Sequence, residues 1–215
     1  MAITYVLFDA ANTLIHKPML WERMQGVLVA ARHHIPSDLL RRNHKLMSEC
    51  LHFPDRTSQD FYQKFNAELL YSLGIIPTET LLTDIFRACT YLPWVTFADT
   101  SALTTLHRPF GIVSNFNKTL PQLVGDLFGP EVFRDIVVSE LKGVAKPQLV
   151  FYEAALAAAG VPAAEILYVG DSIKHDMEPA LALGMQAVLI DRDGAFPNYP
   201  RRIDSFAQLP NLLAE

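Results

Sequence analysis

The residues of this chain that could do chemistry come in a fixed order, each at the end of an apolar run. Asp9 follows "YVLF", Ser114 and Asn115 follow "FGIV", Ser139 and Glu140 follow "IVV" with Lys146 and Pro147 shortly after, and Asp171 follows "LYVG". Two carboxylates, a hydroxyl and an ammonium suit an oxygen-preferring divalent ion and an anionic substrate. Carboxylates and carbonyls hold Mg²⁺, and lysine neutralises the oxygens of a transferring phosphoryl group. A strand-end aspartate or serine taken singly is also an ordinary helix N-cap. The set taken together, in this order, favours one shared site.

These residues meet only if the apolar runs are neighbouring strands. "ITYVLF" is a continuous apolar run, the pattern of a strand buried on both faces of a parallel sheet. The later runs "FGIVSN", "DIVVSE", "EILYVGD" and "QAVLID" alternate with the helical stretches "KTLPQLVGDLFG", "PQLVFYEAALAAAG" and "DMEPALALG". Such alternation implies right-handed crossovers and a Rossmann-like parallel sheet covered by helices, an α/β fold. In that architecture ligands sit beyond the carboxyl ends of the strands, where all the polar residues above fall.

Between the first strand and the rest, residues 19 to 92 show helical periodicity and read as four helices. Ser37 and Thr57 are candidate N-caps, and Gly74 is a candidate helix stop. The expected organisation is a core of residues 1–15 and 95–215 interrupted by an all-helical insert, 16–94. A helix is also expected near residues 99–107, and a turn with a closing helix in the tail. Trp21, Phe61, Tyr62, Phe65 and Tyr71 recur at helical spacing and are assigned to the insert's core.

Composition narrows the class. A 215-residue chain that is 50% hydrophobic can fill a substantial core. With net charge −5 and no basic run longer than Arg41–Arg42, nucleic acid is not an expected partner. The longest apolar stretches fall far short of the roughly 20 residues of a membrane helix. No basic stretch leading into a long apolar segment opens the chain, so a cytoplasmic location is expected. Cys50 and Cys89 lack any metal-ligand spacing and are expected as buried small hydrophobes. Oligomeric state leaves no mark in the sequence.

The motifs resemble those of the haloacid dehalogenase superfamily of aspartate-nucleophile hydrolases. "VLFDAANTLI" is similar to the family's first motif, a strand followed by DxDGT. "IVSN" is similar to the second, "KP" to the third, and "GDSIKHDMEPALALGM" to the long fourth motif. The helical insert is similar to the family's cap domain, which selects substrates. The resemblance implies that Asp9 is the nucleophile, that Ser114 and Asn115 contact the substrate, and that Lys146 orients Asp9 and offsets phosphate charge. It further implies that Asp9, Asp171 and the backbone carbonyl of Ala11 ligate Mg²⁺, with Thr13, Ser172 and Asp176 in support. The substrate class implied is a small phosphorylated metabolite.

The first motif departs from the family at Ala11, where its phosphatases carry a second aspartate that protonates the leaving alcohol and then activates water. General acid–base assistance contributes ~10²–10⁴-fold, so its loss leaves a slow enzyme rather than a dead one. Three readings follow. One is a Mg²⁺-dependent phosphatase whose acid/base is replaced by water, by substrate, or by His16 or His175. Another is C–P or C–halogen cleavage. The C–P chemistry needs a lysine in the insert, where Lys45 and Lys64 lie; retained Asp171 argues for a metal and against dehalogenation, while Tyr152 falls where dehalogenases carry tyrosine. The last is a nearly inert member that binds a ligand or protein partner, a reading to which Asn12 in place of glycine adds weight.

Overall fold

The computed structural model describes residues 2–51, 54 and 57–213. The chain forms two compact units, Met1–His16 with Thr96–Glu215, and Lys17–Val95. In chain order the strands and helices are β1 (Tyr5–Phe8), β2 (Ile15–His16), α1 (Leu20–Ala30), α2 (Ser37–Cys50), α3 (Gln59–Ser72) and α4 (Glu79–Cys89). They continue with β3 (Val95–Thr96), β4 (Phe110–Ser114), α5 (Leu120–Phe128), β5 (Asp135–Val138), α6 (Ser139–Lys142) and α7 (Leu149–Ala159). The series closes with β6 (Ile166–Gly170), α8 (Glu178–Ala182), β7 (Gln186–Ile190), β8 (Arg202–Ile203) and α9 (Leu209–Leu213). Among the described residues, no helix is long and apolar enough to cross a membrane.

The first unit is built on a parallel six-stranded sheet in the order β5-β4-β1-β6-β7-β8. The fold is therefore α/β, as the alternating runs imply. The apolar continuity of β1, β4 and β6 has a direct cause: every residue in these three strands is buried. Tyr5, Leu7, Val113 and Tyr168 project from the sheet into one cluster with Phe151, Tyr152 and Ala155 of α7 and Ala180 of α8. Each large side chain in such a core stabilises the fold by about 1.5–3 kcal/mol. Tyr152 is fully buried there, and its hydroxyl donates to the His175 carbonyl, so packing accounts for it. Residues 98–105 form a 3₁₀ helix rather than an α-helix. The tail adds the edge strand β8 before its closing helix. A two-stranded ribbon of β2 and β3 lies where the chain leaves this unit and returns, segments too short to betray themselves by periodicity.

The second unit packs four helices around Met24, Leu28, Leu40, Phe65, Leu69, Leu70, Leu81 and Ile85. Its caps differ from expectation by a residue. Ser58, not Thr57, accepts from Phe61 N to start α3, and Ser37 is the first helical residue of α2, after Pro36. Gly74 does stop α3, at φ +74°, with Ile75 N donating to Leu70 O across the turn. Tyr71 is exposed rather than buried, and so is Cys50.

His44 of α2 sits edge-on between Trp21 and Phe65, with ring centroids 5.0 and 4.8 Å away. Burial, aided by the charge on Lys45, pulls its pKa down to about 4. The unfolded chain therefore takes up a proton near the ordinary 6.5, while the folded unit resists it until about 4. Stability of this unit should be full above pH 6.5 and fall by roughly 1–3 kcal/mol as pH drops through that window. Urea titrations at neutral and mildly acid pH should show His44→Phe losing less stability on acidification than the wild type.

Candidate active site

β1 is the strand at which the sheet's connections reverse: β4 and β5 lie on one side of it, β6, β7 and β8 on the other. That switch point opens a crevice at the carboxyl ends of the strands, and Asp9 is the first residue into it. Its amide donates to Val169 O at 2.9 Å, fixing it between β1 and β6. The chain then turns tightly. Leu14 N and Ile15 N both donate to Ala10 O, at 2.9 and 3.0 Å, and Asn12 N donates to Ile15 O at 2.7 Å. Asn12 takes φ +61°, a left-handed conformation that asparagine tolerates better than most residues. The turn thus forms without glycine.

Four expected residues meet directly. Ser114 Oγ donates to Asp9 Oδ1 at 3.1 Å, and Lys146 Nζ donates to the same oxygen at 2.7 Å. The other partner of Lys146 Nζ is Asp176 Oδ1, at 2.6 Å. Asp171, partly buried, completes an acidic group in which one carboxylate oxygen each from Asp9, Asp171 and Asp176 lies within 4.8 Å of the others. Ala11 sits in the turn after Asp9, paired with Ile15 as an isolated bridge.

The other expected residues make contacts of their own. The Asn115 side chain spans the backbone of Lys146: its Oδ1 accepts from Lys146 N at 2.7 Å and its Nδ2 donates to Lys146 O at 3.2 Å. Ser172 Oγ caps the π-helical turn Ile173–Met177 by accepting from His175 N at 2.8 Å, and lies 3.1 Å from His175 Nδ1. Thr13 is fully buried and its Oγ1 makes no hydrogen bond among the described residues, while its carbonyl accepts from Arg192. The His16 ring is stacked on Phe97 at 4.1 Å.

Two contributors escape the sequence reading. Tyr168, an apparently apolar member of "ILYVG", donates its hydroxyl to Asp176 Oδ1 at 3.0 Å. Gly170 leaves the room that Asp176 occupies: a Cβ there would fall 2.4 Å from the Asp176 carboxyl carbon. With Ser172 N donating to Asp176 Oδ2 at 3.0 Å, both oxygens of Asp176 are engaged, which suits it to steer Lys146. Gly170→Ala should push this carboxylate off the lysine. Breaking one side of a buried ion pair costs about 3–5 kcal/mol, so a melting-temperature drop of roughly 6–20 °C is expected by calorimetry.

Burial and neighbouring charges shape the electrostatics of the site. Burial raises the Asp9 pKa; Lys146 opposes this and Asp176 adds to it. Burial works against the charge of Lys146, but Asp176 and Asp9 outweigh it and hold its pKa above the ordinary value. Lys146 pairs with Asp9 and Asp176, and the three clustered carboxylates offer the oxygen ligands that a hard divalent cation takes. The donor set therefore fits Mg²⁺.

Sheet and cluster together place the chain among α/β enzymes that work at the carboxyl ends of their strands. Residues 3–184 match the haloacid dehalogenase-like hydrolase family, and the chain belongs to that family of hydrolases. It is 33% identical over 103 residues to the haloacid dehalogenase-like hydrolase domain-containing protein 3 of Danio rerio, a match covering 46% of this chain and 43% of that protein. Over 58 residues it is 43% identical to the glyceraldehyde 3-phosphate phosphatase of Methanocaldococcus jannaschii, 27% of this chain and 25% of that one. The chain thus spans less than half the length of these curated relatives in the matched regions. In three dimensions it resembles the magnesium-bound HAD-hydrolase YfnB of Bacillus subtilis, with TM-score 0.66 and 18% identity over all of both chains.

Proposed function

We propose that this chain hydrolyses small phosphate monoesters through an aspartyl phosphate on Asp9, with the helical unit, residues 16–94 of the sequence reading, acting as the substrate-selecting cap. One observation carries the proposal: Lys146 Nζ bridges Asp9 and Asp176 at 2.7 and 2.6 Å while Ser114 donates to the same Asp9 oxygen. An ammonium held this way orients one carboxylate oxygen and leaves the other to attack, while offsetting charge on an incoming phosphate. An oxygen of Asp9 would bond to phosphorus as the phosphorus–ester oxygen bond breaks, the leaving alkoxide taking its proton from solvent water. Water would then displace Asp9 and release phosphate. The phosphatase named among the relatives supports this choice of bond.

Asp9, Asp171 and the Ala11 carbonyl are the groups that would hold Mg²⁺. Bound there, Mg²⁺ supplies Lewis-acid withdrawal of charge from the phosphoryl oxygens. Nothing at position 11 can give the leaving alcohol its proton, so turnover is slow. Lys45 is paired with Glu49 at 3.4 Å and Lys64 is exposed.

A panel of phosphate monoesters assayed with and without Mg²⁺ should give turnover only with the metal. Mg²⁺ at about 100 times its dissociation constant should add ~2.7 kcal/mol of stability, or roughly 5–10 °C in melting temperature. Metal-independent hydrolysis, or no hydrolysis of any ester, defeats the proposal.

A further inference from the structure

The first unit contains a second polar cluster, set around Arg192, that the chemistry above does not use. Arg192 follows β7, and its guanidinium lies between two rings, 3.9 Å from the centroid of Phe97 and 4.9 Å from that of Phe206. Its Nη1 donates to Asp99 Oδ2 at 2.8 Å and its Nη2 to the Thr13 carbonyl at 3.2 Å. Asp99 Oδ2 is also held by Ser205 Oγ and by Phe206 N, each at 2.9 Å; burial would raise its pKa, but Arg192 first, then Phe206 N and Ser205, hold it below the ordinary value.

The placement matters because of what each partner adjoins. Thr13 lies in the turn after Asp9, two residues beyond Ala11. Phe206 packs edge-on against Phe8, the residue before Asp9, at 5.6 Å. Phe97 carries His16 on its other face at 4.1 Å. The guanidinium thus reaches the chain on both sides of the carboxylate, by a ring contact before it and a hydrogen bond after it. A planar fork can bridge a carboxylate and a carbonyl at once while stacking on aromatic faces; lysine cannot. Hydrogen bonds from a charged group, partly screened from water, are worth more than neutral ones.

We infer that Arg192 is a positioning residue for the nucleophile turn: clamped by Asp99 and stacked between Phe97 and Phe206, it holds the Thr13 carbonyl and so fixes the backbone from Asp9 to Ile15. Its consequence for turnover rests on the phosphatase reading, but the anchoring itself does not.

The test compares wild type with Arg192→Met, Arg192→Lys and Asp99→Asn by amide hydrogen exchange and by steady-state kinetics. In Arg192→Met, the amides of Asn12, Leu14 and Ile15 should exchange about tenfold faster or more, while those of β6 and β7 stay unchanged. Arg192→Lys should regain only part of this protection, and Asp99→Asn should lose protection in the same turn to a smaller degree. On any ester the wild type hydrolyses, kcat should fall about tenfold in Arg192→Met with KM within a factor of two. Unchanged exchange in the turn, or an equal rise throughout the unit, overturns the inference. If the wild type hydrolyses no ester, the phosphatase reading fails, and exchange alone still decides the role of Arg192.

Discussion

Asp9→Asn should keep its fold and lose phosphomonoester turnover by about 10⁴-fold or more, measured as kcat with Mg²⁺. The substitution is nearly isosteric, and an amide oxygen can still accept from Ser114 Oγ and Lys146 Nζ, which approach Asp9 Oδ1 at 3.1 and 2.7 Å. The surroundings are therefore kept while the attacking carboxylate is lost. Lys146 retains Asp176 as a partner at 2.6 Å, so it is not stranded as an unpaired buried charge. The variant should also show a smaller Mg²⁺-induced rise in melting temperature, because one of the carboxylates in the acidic group has become neutral. Hydrolysis that survives the substitution would assign the chemistry to another group.

Ala11→Asp should have the opposite sign. General acid–base assistance is worth ~10²–10⁴-fold, and kcat should rise toward that range if position 11 is the only deficit. The change is compatible with the local backbone. Ala11 is only partly buried, its bridge to Ile15 is made by main-chain atoms, and the turn beyond it is already formed with Asn12 at φ +61°. The new carboxyl should also leave a mark on the pH–rate profile, a limb absent from the wild type. A rise measured in stopped or continuous phosphate-release assays would mean that the natural chain simply lacks a proton donor. Unchanged turnover would mean that another group already performs the transfer.

The sheet was legible in the sequence because its central strands are buried on both faces. "YVLF", "FGIVS" and "ILYVG" contain only residues that tolerate burial, and polar side chains appear at the ends, where the crevice opens. Asp9, Ser114 and Lys146 were legible for the same reason, and they meet within 3.1 Å. Other features depend on where a side chain turns in space. Asn115 follows a strand end, and only the fold reveals that both ends of its amide engage the Lys146 backbone. Tyr168 reads as an apolar strand residue until its hydroxyl is found on Asp176. Asp99 and Arg192 are 93 positions apart and carry no mutual signal. β2 and β3 hold two residues each, too few for any periodicity to register.

That short ribbon marks where a long excursion of the chain is closed. β1 pairs with β4 directly, in a register set by their own residues, so the sheet is indifferent to what is threaded between His16 and Thr96. Doubling the length of such an excursion adds only about 0.6 kcal/mol of closure entropy. Lengthening or shortening the intervening segment should therefore leave the β1–β4 register unchanged. Under the role proposed for the helical unit, selectivity lies on one side of that splice and the β1–β4 pairing on the other.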